Sequence, residues 1–329
     1  MSSESRWEGV RPLRYREEVF RVLKSLAKED LSLEDLRLIL LQEREAREGL
    51  RLRPLLIRRT IQNKSRSRAE FLTKAEQIVR VFVRLGLARR SGDMIQATPA
   101  ASRIAKMIDQ DELVGQTSFL ETLLNSPYTT YAKFLKALSV RKLSIPSSFT
   151  ERDKVLSDFL RSEGFPMDSW SFFIIRDLFY DFDLLNYTLD QESERLFPLF
   201  NIGANDGMFS QSLLIGSHRL NYWRAMSVSS FVSCLVENYM TLAGGWNRIV
   251  DLVRLREKVS EDGKLSERQF NILLMASVEH PSEGYQIIPS VGRLRPKRRS
   301  GYLTKALTLP KHSNGQPYTL IRIERSKLG

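Results

Sequence analysis

Apolar residues recur at helical spacing along the first part of the chain. In residues 15–30 the positions that share one side of a predicted helix are Val19, Phe20, Val22, Leu23 and Leu26. Ser32 stands before a second run of this kind and is placed to cap its acidic first turn. A third stripe follows the capping-box sequence Thr73 to Glu76 and contains Ala75, Ile78, Val79, Phe82 and Leu85. The pattern predicts three helices before Gly86, a residue type that commonly ends a helix.

The pattern changes to short runs after the third helix. "LARR" at residues 87–90 and "MIQAT" at residues 94–98 predict two strands, and the Ser-Gly-Asp between them predicts a hairpin turn. Thr98 followed by Pro99 then predicts a capped helix start. Residues 53–68 begin with a Pro-led apolar turn and continue as a basic, Ser-rich stretch, for which we predict a loop.

Three helices, a hairpin and a closing helix over residues 14–108 resemble a winged-helix domain, with Leu-Gly-Leu before the hairpin and Thr-Pro after it. The resemblance implies that the third helix is a recognition helix and the hairpin is a wing. The polar face opposite the apolar stripe of residues 74–85 would then contact the target, together with two arginines of the wing. The members of this predicted surface are Lys74, Gln77, Arg80, Val81, Arg84, Arg89 and Arg90.

Two later segments have a related layout. Residues 111–215 predict two helices, then a strand, a turn and a strand, and the acidic residues at that turn are Asp190, Glu192 and Glu194. Because phosphate would repel such a turn, we interpret this segment as structural or protein-binding. In residues 216–329, helices are predicted from Trp246 and after the cap Ser266, with "EDGK" as the turn between them. The strands "YQIIPSV", "YLTKALTL" and "YTLIRIER" follow.

The predicted fold class is therefore mainly α with small β-hairpins. We expect tandem winged-helix-like units, of which the C-terminal one has a larger antiparallel sheet. The predicted domains are residues 1–110, 111–215 and 216–329.

Composition favours a folded protein of ordinary core content, since 42% of the 329 residues are hydrophobic and 27% are charged. No apolar run is long enough for a membrane span, and the N-terminus lacks the apolar region of a signal peptide. The single cysteine, Cys234, excludes an internal disulfide. We predict a cytoplasmic protein without a membrane association.

The net charge of +12 is concentrated at the two ends of the chain. Residues 1–110 and residues 291–329 each carry +9, whereas residues 111–290 carry −6. Clustering of this kind is typical of proteins that bind phosphate-rich partners. The further basic residues that we predict to bind nucleic acid are Arg58, Arg59, Lys64, Arg66, Arg68, Arg293, Arg295, Lys297, Arg298, Arg299 and Lys311.

Few residue patterns point to catalysis. The three histidines are widely separated, and no P-loop sequence is present, so we predict neither a metal site nor a bound cofactor. "NIGANDG" resembles motif I of S-adenosylmethionine-dependent methyltransferases, with Gly203, Ala204, Asn205 and Gly207 matching and Asn201 in place of the acidic residue of that family. That fold alternates strands and helices, but residues 217–259 predict almost only helix. A glycine-rich link between two units is the favoured interpretation.

The sequence predicts a non-catalytic nucleic-acid-binding protein, with duplex DNA favoured over RNA as the partner. One alternative is an adaptor or scaffold subunit of a DNA-handling or defence complex, whose acidic middle binds a protein partner. The other alternative is the methyltransferase.

Overall fold

A computed structural model describes most of the chain. The described residues are 13, 15–51, 64–126, 129–141, 143–165, 169–189, 193–205, 207–281, 284–292, 305–306 and 308–325. Within them, contacts define two compact units. The first comprises residues up to Ala137, Asp153–Phe182 and Gln211–Leu220, and the second comprises Leu138–Arg152, Asp183–Ser210 and the residues from Asn221 onward. The predicted division into three domains stays a prediction.

Helices and strands follow one order three times. The first set is α1 (Arg16–Lys28), β1 (Leu31–Ser32), α2 (Leu33–Arg51), α3 (Lys64–Arg84), β2 (Ala88–Ser91) and β3 (Met94–Ala97). In its sheet β3 lies between β1 and β2 and is antiparallel to both. Helices α4 (Pro99–Gln110) and α5 (Glu112–Leu124) follow this set.

The second and third sets repeat the connectivity of the first. The second is α6 (Thr129–Val140), β4 (Leu143–Pro146), α7 (Phe149–Ser162), α8 (Ser169–Asp181), β5 (Leu185–Leu189) and β6 (Ser193–Pro198), with sheet order β4-β6-β5. Strands β7 (Phe200–Ile202), β8 (Phe209–Ile215) and β9 (His218–Arg224) then form a separate sheet in the order β7-β9-β8. The third set is α9 (Val228–Ala243), β10 (Val250–Asp251), α10 (Leu252–Gly263), α11 (Glu267–Glu279), β11 (Tyr285–Ser290) and β12 (Leu320–Arg325), with sheet order β10-β12-β11.

The predicted mainly helical class with small antiparallel sheets is confirmed, and several local predictions are confirmed with it. Gly86 adopts a φ of +68°, which favours glycine, and it ends α3 where the apolar stripe stops. The hydroxyl of Thr98 accepts a hydrogen bond from the backbone N–H of Ala101 at the start of α4. Ser266 forms a complete capping box with Gln269 at the start of α11.

Other local predictions were wrong. Thr73 does not cap a helix: it lies inside α3, and its hydroxyl donates to the carbonyl of Ala69. Residues 217–259 are not almost wholly helical, because β9 and β10 fall within them. Most of "EDGK" belongs to α10, which continues to Gly263 before Lys264 ends it in the left-handed conformation.

The C-terminal sheet differs from the prediction in its composition. "YQIIPS" and "LIRIER" do pair, as β11 and β12. Of the strand predicted at residues 302–309, however, Lys305 and Ala306 are helical, and the third strand comes instead from β10. This sheet has three strands, as each of the other described sheets has, so the prediction of a larger C-terminal sheet was wrong.

A cluster of aromatic rings stabilises the core of the first unit. Phe134 packs on Phe172 and Phe179, with ring centroids 5.4 and 6.0 Å apart, and Phe159 contacts Phe172 edge-on at 6.0 Å. All four rings are fully buried. Aromatic pairs at these distances contribute beyond their buried area, so the cluster is a main source of stability here.

A cluster of four charged side chains is buried in the second unit. The Nη2 atom of Arg256 lies 2.9 Å from a Glu267 carboxylate oxygen, and the Lys305 Nζ lies 3.0 Å from the other oxygen and 3.3 Å from Glu257. Lys305 also donates to the carbonyl of Tyr187. Burial raises the pKa of Glu257, although the neighbouring Lys305 opposes the shift. The two positive and two negative charges balance, which is how buried charges are tolerated.

None of the helices in the described ranges is long and apolar enough to cross a membrane. Over the same ranges, no three His, Cys, Asp or Glu side chains come together in a way that could hold a metal ion.

Candidate nucleic-acid interface

Helix α3 is anchored by the apolar stripe that the sequence indicates. Ala75, Ile78, Val79, Phe82 and Leu85 are all buried, and Phe71 extends the stripe toward the N-terminus of the helix. Burial of this whole face sets the rotation of α3 about its axis. The side chains on the opposite face are therefore directed to solvent.

The exposed face of α3 carries polar residues at intervals of three and four. Gln77, Arg80 and Arg84 are exposed, with Arg80 at 72% exposure. Residues at this spacing share one side of a helix, so these side chains form a single row. Val83 lies at the edge of the row with 41% of its surface exposed. The row ends one turn before the hairpin.

Two residues of the predicted polar face differ in their surroundings from the exposed row. Val81 is buried, with 1% exposure. The ammonium group of Lys74 binds both carboxylate oxygens of Glu18 on α1, at 2.9 and 2.7 Å. Because Glu18 is itself buried, its charge requires this partner. Val81 is therefore not on the exposed face, where the sequence pattern put it, and the predicted contact of Lys74 with nucleic acid stays a prediction.

The hairpin β2–β3 presents two exposed arginines beside α3. Arg89 pairs with Gln96 and Arg90 with Ile95 across the two strands. Ile95 is fully buried and anchors β3 close to the turn. Gly92, with a φ of +61°, forms the tight turn at its tip. The structure thus brings Arg90 to Glu76 on α3, whereas Arg89, the preceding residue of the strand, faces the other side of the hairpin.

A carboxylate joins the helix to the hairpin. The Oε1 atom of Glu76 lies 2.8 Å from Nη1 of Arg90 and 3.5 Å from Nε of Arg80. The Nε of Arg90 also donates to the carbonyl of Gly92, at 3.2 Å. The guanidinium of Arg90 is consequently held toward α3.

The remaining predicted basic residues divide into two groups. Lys64, Arg66 and Arg68 lie in the first turns of α3, so the loop predicted over residues 53–68 is wrong for its last five positions. Lys311 is exposed in a turn closed by its pairing with Pro317. The predicted binding residues outside the described residues are Arg58, Arg59, Arg293, Arg295, Lys297, Arg298 and Arg299.

The helices that correspond to α3 in the second and third sets have a different character. Helix α8 has one basic residue, Arg176, which is mostly buried and pairs with Asp177 at 2.6 Å. Helix α11 also has one, Arg268, which pairs with the buried Asp183 at 2.7 Å and lies over the ring of Trp223. Neither helix presents a row of exposed cations. The acidic residues predicted at the turn before β6 include Glu194, which lies in that strand, whereas Asp190 and Glu192 lie outside the described residues.

Two residues of this surface escaped the sequence prediction. Val83 was missed because the sequence analysis assigned Val81 to the polar face, whereas Val83 is the valine that the helix exposes. Glu76 was interpreted as part of a capping box, although its spacing of four from Arg80 is typical of an ion pair within a helix.

The "NIGANDG" segment begins in one strand and is followed by another. Strand β7 ends at Ile202, and β8 begins at Phe209. The side-chain oxygen of Asn205 accepts from the N–H of Gly207, and its amide donates to the carbonyl of Phe209. The methyltransferase resemblance implies a helix after these glycines, and a strand stands there instead.

Comparisons of this chain with protein-family models, with curated proteins and with solved structures find no match.

Proposed function

We propose that this chain binds duplex DNA through α3 and the hairpin β2–β3, and that its first set of elements is a winged-helix unit. The observation that carries this proposal is the exposed row Gln77, Arg80 and Arg84 on α3, next to a hairpin with two exposed arginines, of which Arg90 shares the Glu76 carboxylate with Arg80. The order helix, strand, helix, helix, strand, strand and the sheet order β1-β3-β2 support the winged-helix interpretation.

The side chains in the row suit the major groove. We assign Arg84 and Gln77 to base edges, because arginine can donate two hydrogen bonds to guanine and glutamine can bond in the same bidentate manner to adenine, and we assign Arg80 to a phosphate. The exposed Val83 offers an apolar contact of the kind that recognises the methyl group of thymine. We assign Arg89 and Arg90 to neighbouring phosphates, because contacts of this kind position a protein on DNA without reading its sequence.

The difference between the three equivalent helices supports one binding unit rather than three. Only α3, among the three described helices at this place in the order, has exposed arginines in a row. The single basic residues of α8 and α11 are neutralised by acidic neighbours. We therefore propose that the second and third sets serve other purposes than contact with the groove.

The proposal is tested by titrating the full chain with duplex DNA, single-stranded DNA and RNA at several salt concentrations. Replacing both Arg80 and Arg84 with Ala is expected to weaken duplex binding at least about tenfold. Each lost phosphate contact lowers the salt slope by about one unit. Arg161→Ala, which removes an equally exposed arginine from α7, is the control and is expected to change neither quantity. Unchanged duplex affinity in a folded double variant would refute the proposed surface.

A second candidate function is an adaptor that also binds a protein partner. The observation that favours it is two exposed apolar side chains. Val140, just before β4 in the chain, is 85% exposed, and Phe149, just after β4, is 68% exposed. Residues 111–290, in which they lie, have a net charge of −6 and so do not suit phosphate. The test is purification of the chain from its native cells with and without Phe149→Ser, where a partner lost only in the variant supports the adaptor.

A further inference from the structure

Glu76 occupies an unusual position for an acidic residue if α3 contacts DNA. Its carboxylate lies within 4 Å of two arginines of the proposed interface, one on the helix and one on the hairpin. Glu76 is about one quarter exposed, so solvent screens these ion pairs only in part. A phosphate that binds both arginines must displace the carboxylate or lie beside it.

Both possibilities oppose the binding of phosphate. Displacement breaks the 2.8 Å contact between Glu76 and Arg90, and a phosphate that stays beside Glu76 faces a like charge at short range. This opposition is the same for every DNA sequence, because phosphates are uniform along the backbone. Contacts from Gln77 and Arg84 to base edges do not involve this carboxylate.

We propose that Glu76 competes with DNA phosphates for Arg80 and Arg90, and that it lowers the affinity of this surface for duplex DNA. The affinity for every duplex falls by a similar factor, so only a sequence that also supplies good base contacts is bound tightly. The inference rests on the proposed function, since it presumes that α3 and the hairpin contact DNA.

The test compares two variants that each remove one negative charge from α3. Glu76→Gln keeps the size of the side chain and removes the charge between the two arginines. Glu70→Gln makes the same change on the same helix, at an exposed position six residues earlier and away from the hairpin. A third variant combines Glu76→Gln with Arg80→Ala and Arg90→Ala. It is compared with a variant that has only the Arg80→Ala and Arg90→Ala substitutions.

Binding to a pool of duplexes of random sequence is measured for each full-length variant, and thermal unfolding confirms that each is folded. Glu76→Gln is expected to strengthen binding by on the order of fivefold, which is more than Glu70→Gln does. When Arg80 and Arg90 are both replaced with Ala, Glu76→Gln is expected to strengthen duplex binding only as much as Glu70→Gln does.

Three results would overturn the inference. Equal gains in Glu76→Gln and Glu70→Gln would show an effect of overall charge, and a gain that survives without the two arginines would show a different mechanism. Weaker binding by Glu76→Gln would show that the carboxylate positions Arg90 for DNA instead of competing with it. If the unaltered chain binds no duplex, the proposed function fails first, and this inference fails with it.

Discussion

The ammonium group of Lys74 on α3 lies between the two carboxylate oxygens of Glu18 on α1, 2.9 and 2.7 Å away. Glu18 is only 2% exposed, so Lys74 supplies the charge that a buried carboxylate needs. A residue that belongs to the proposed binding face by helical spacing therefore stabilises the fold. Its neighbours along the row, Gln77 and Arg80, remain exposed.

Replacing Lys74 is expected to affect stability more than DNA binding. Lys74→Met removes the ammonium group that both carboxylate oxygens of the buried Glu18 contact, and we expect a loss of about 1.5–3 kcal/mol in the free energy of unfolding. Lys106→Met, at an exposed position on α4, is the control and is expected to change that free energy by less than about 0.5 kcal/mol. Urea unfolding measures both values. Equal stabilities of the two variants would contradict the role given to the Lys74–Glu18 pair.

The basic stretch before Lys305 is expected to add affinity without sequence preference. Replacing Arg295, Lys297, Arg298 and Arg299 with Ser removes four positive charges near one end of the chain. We expect weaker binding to all duplexes by a similar factor, with little change in thermal stability. Titrations with several unrelated duplexes measure this factor. A change in the ranking of those duplexes at constant overall affinity would show that the stretch reads bases.

The buried charge cluster is expected to be sensitive to the loss of Arg256. Arg256→Met leaves Glu267 with less positive charge in the core, and removal of one partner from a buried ion pair costs about 3–5 kcal/mol. Arg254→Met makes the same substitution two residues earlier on α10, at an exposed position, and is expected to be nearly neutral. Urea unfolding compares them. A small effect of Arg256→Met would mean that the cluster tolerates a missing charge.

Cys234 is expected to react slowly in the folded protein. Burial raises the pKa of its thiol, and the nearby carboxylate of Asp262 raises it further. The thiolate fraction at neutral pH is therefore smaller than in the unfolded chain, where the thiol has its usual pKa. Alkylation with iodoacetamide is expected to accelerate on unfolding in urea, and to accelerate in the folded protein as the pH rises above the usual thiol range. Asp262→Asn is expected to speed labelling at a fixed pH. Rapid labelling of the folded chain at pH 7 would contradict this account.

The sequence by itself predicts those features that depend on neighbours along the chain. The apolar stripes of α1 and α3, the end of α3 at Gly86 and the capped start of α4 at Thr98 all follow from local spacing and backbone preference. The hairpin at residues 88–97 follows from two short runs around a Ser-Gly-Asp turn. Side-chain periodicity and turn geometry act over a few residues, so the sequence contains these signals in full.

Tertiary structure decides the features that depend on distant partners. Strand β1 is two residues long and exists because Leu31 and Ser32 pair with β3, more than sixty residues later. No apolar stripe marks the start of α3 at Lys64 in the sequence. The capping-box sequence at Thr73 predicts a later start, which the structure does not have. Lys74 and Arg80 look equivalent on a helical projection, yet one is bound by Glu18 from another helix and the other is open to solvent. Local patterns define which face of a helix is polar, but the charges that the rest of the fold brings to that face determine which of its residues can bind a partner.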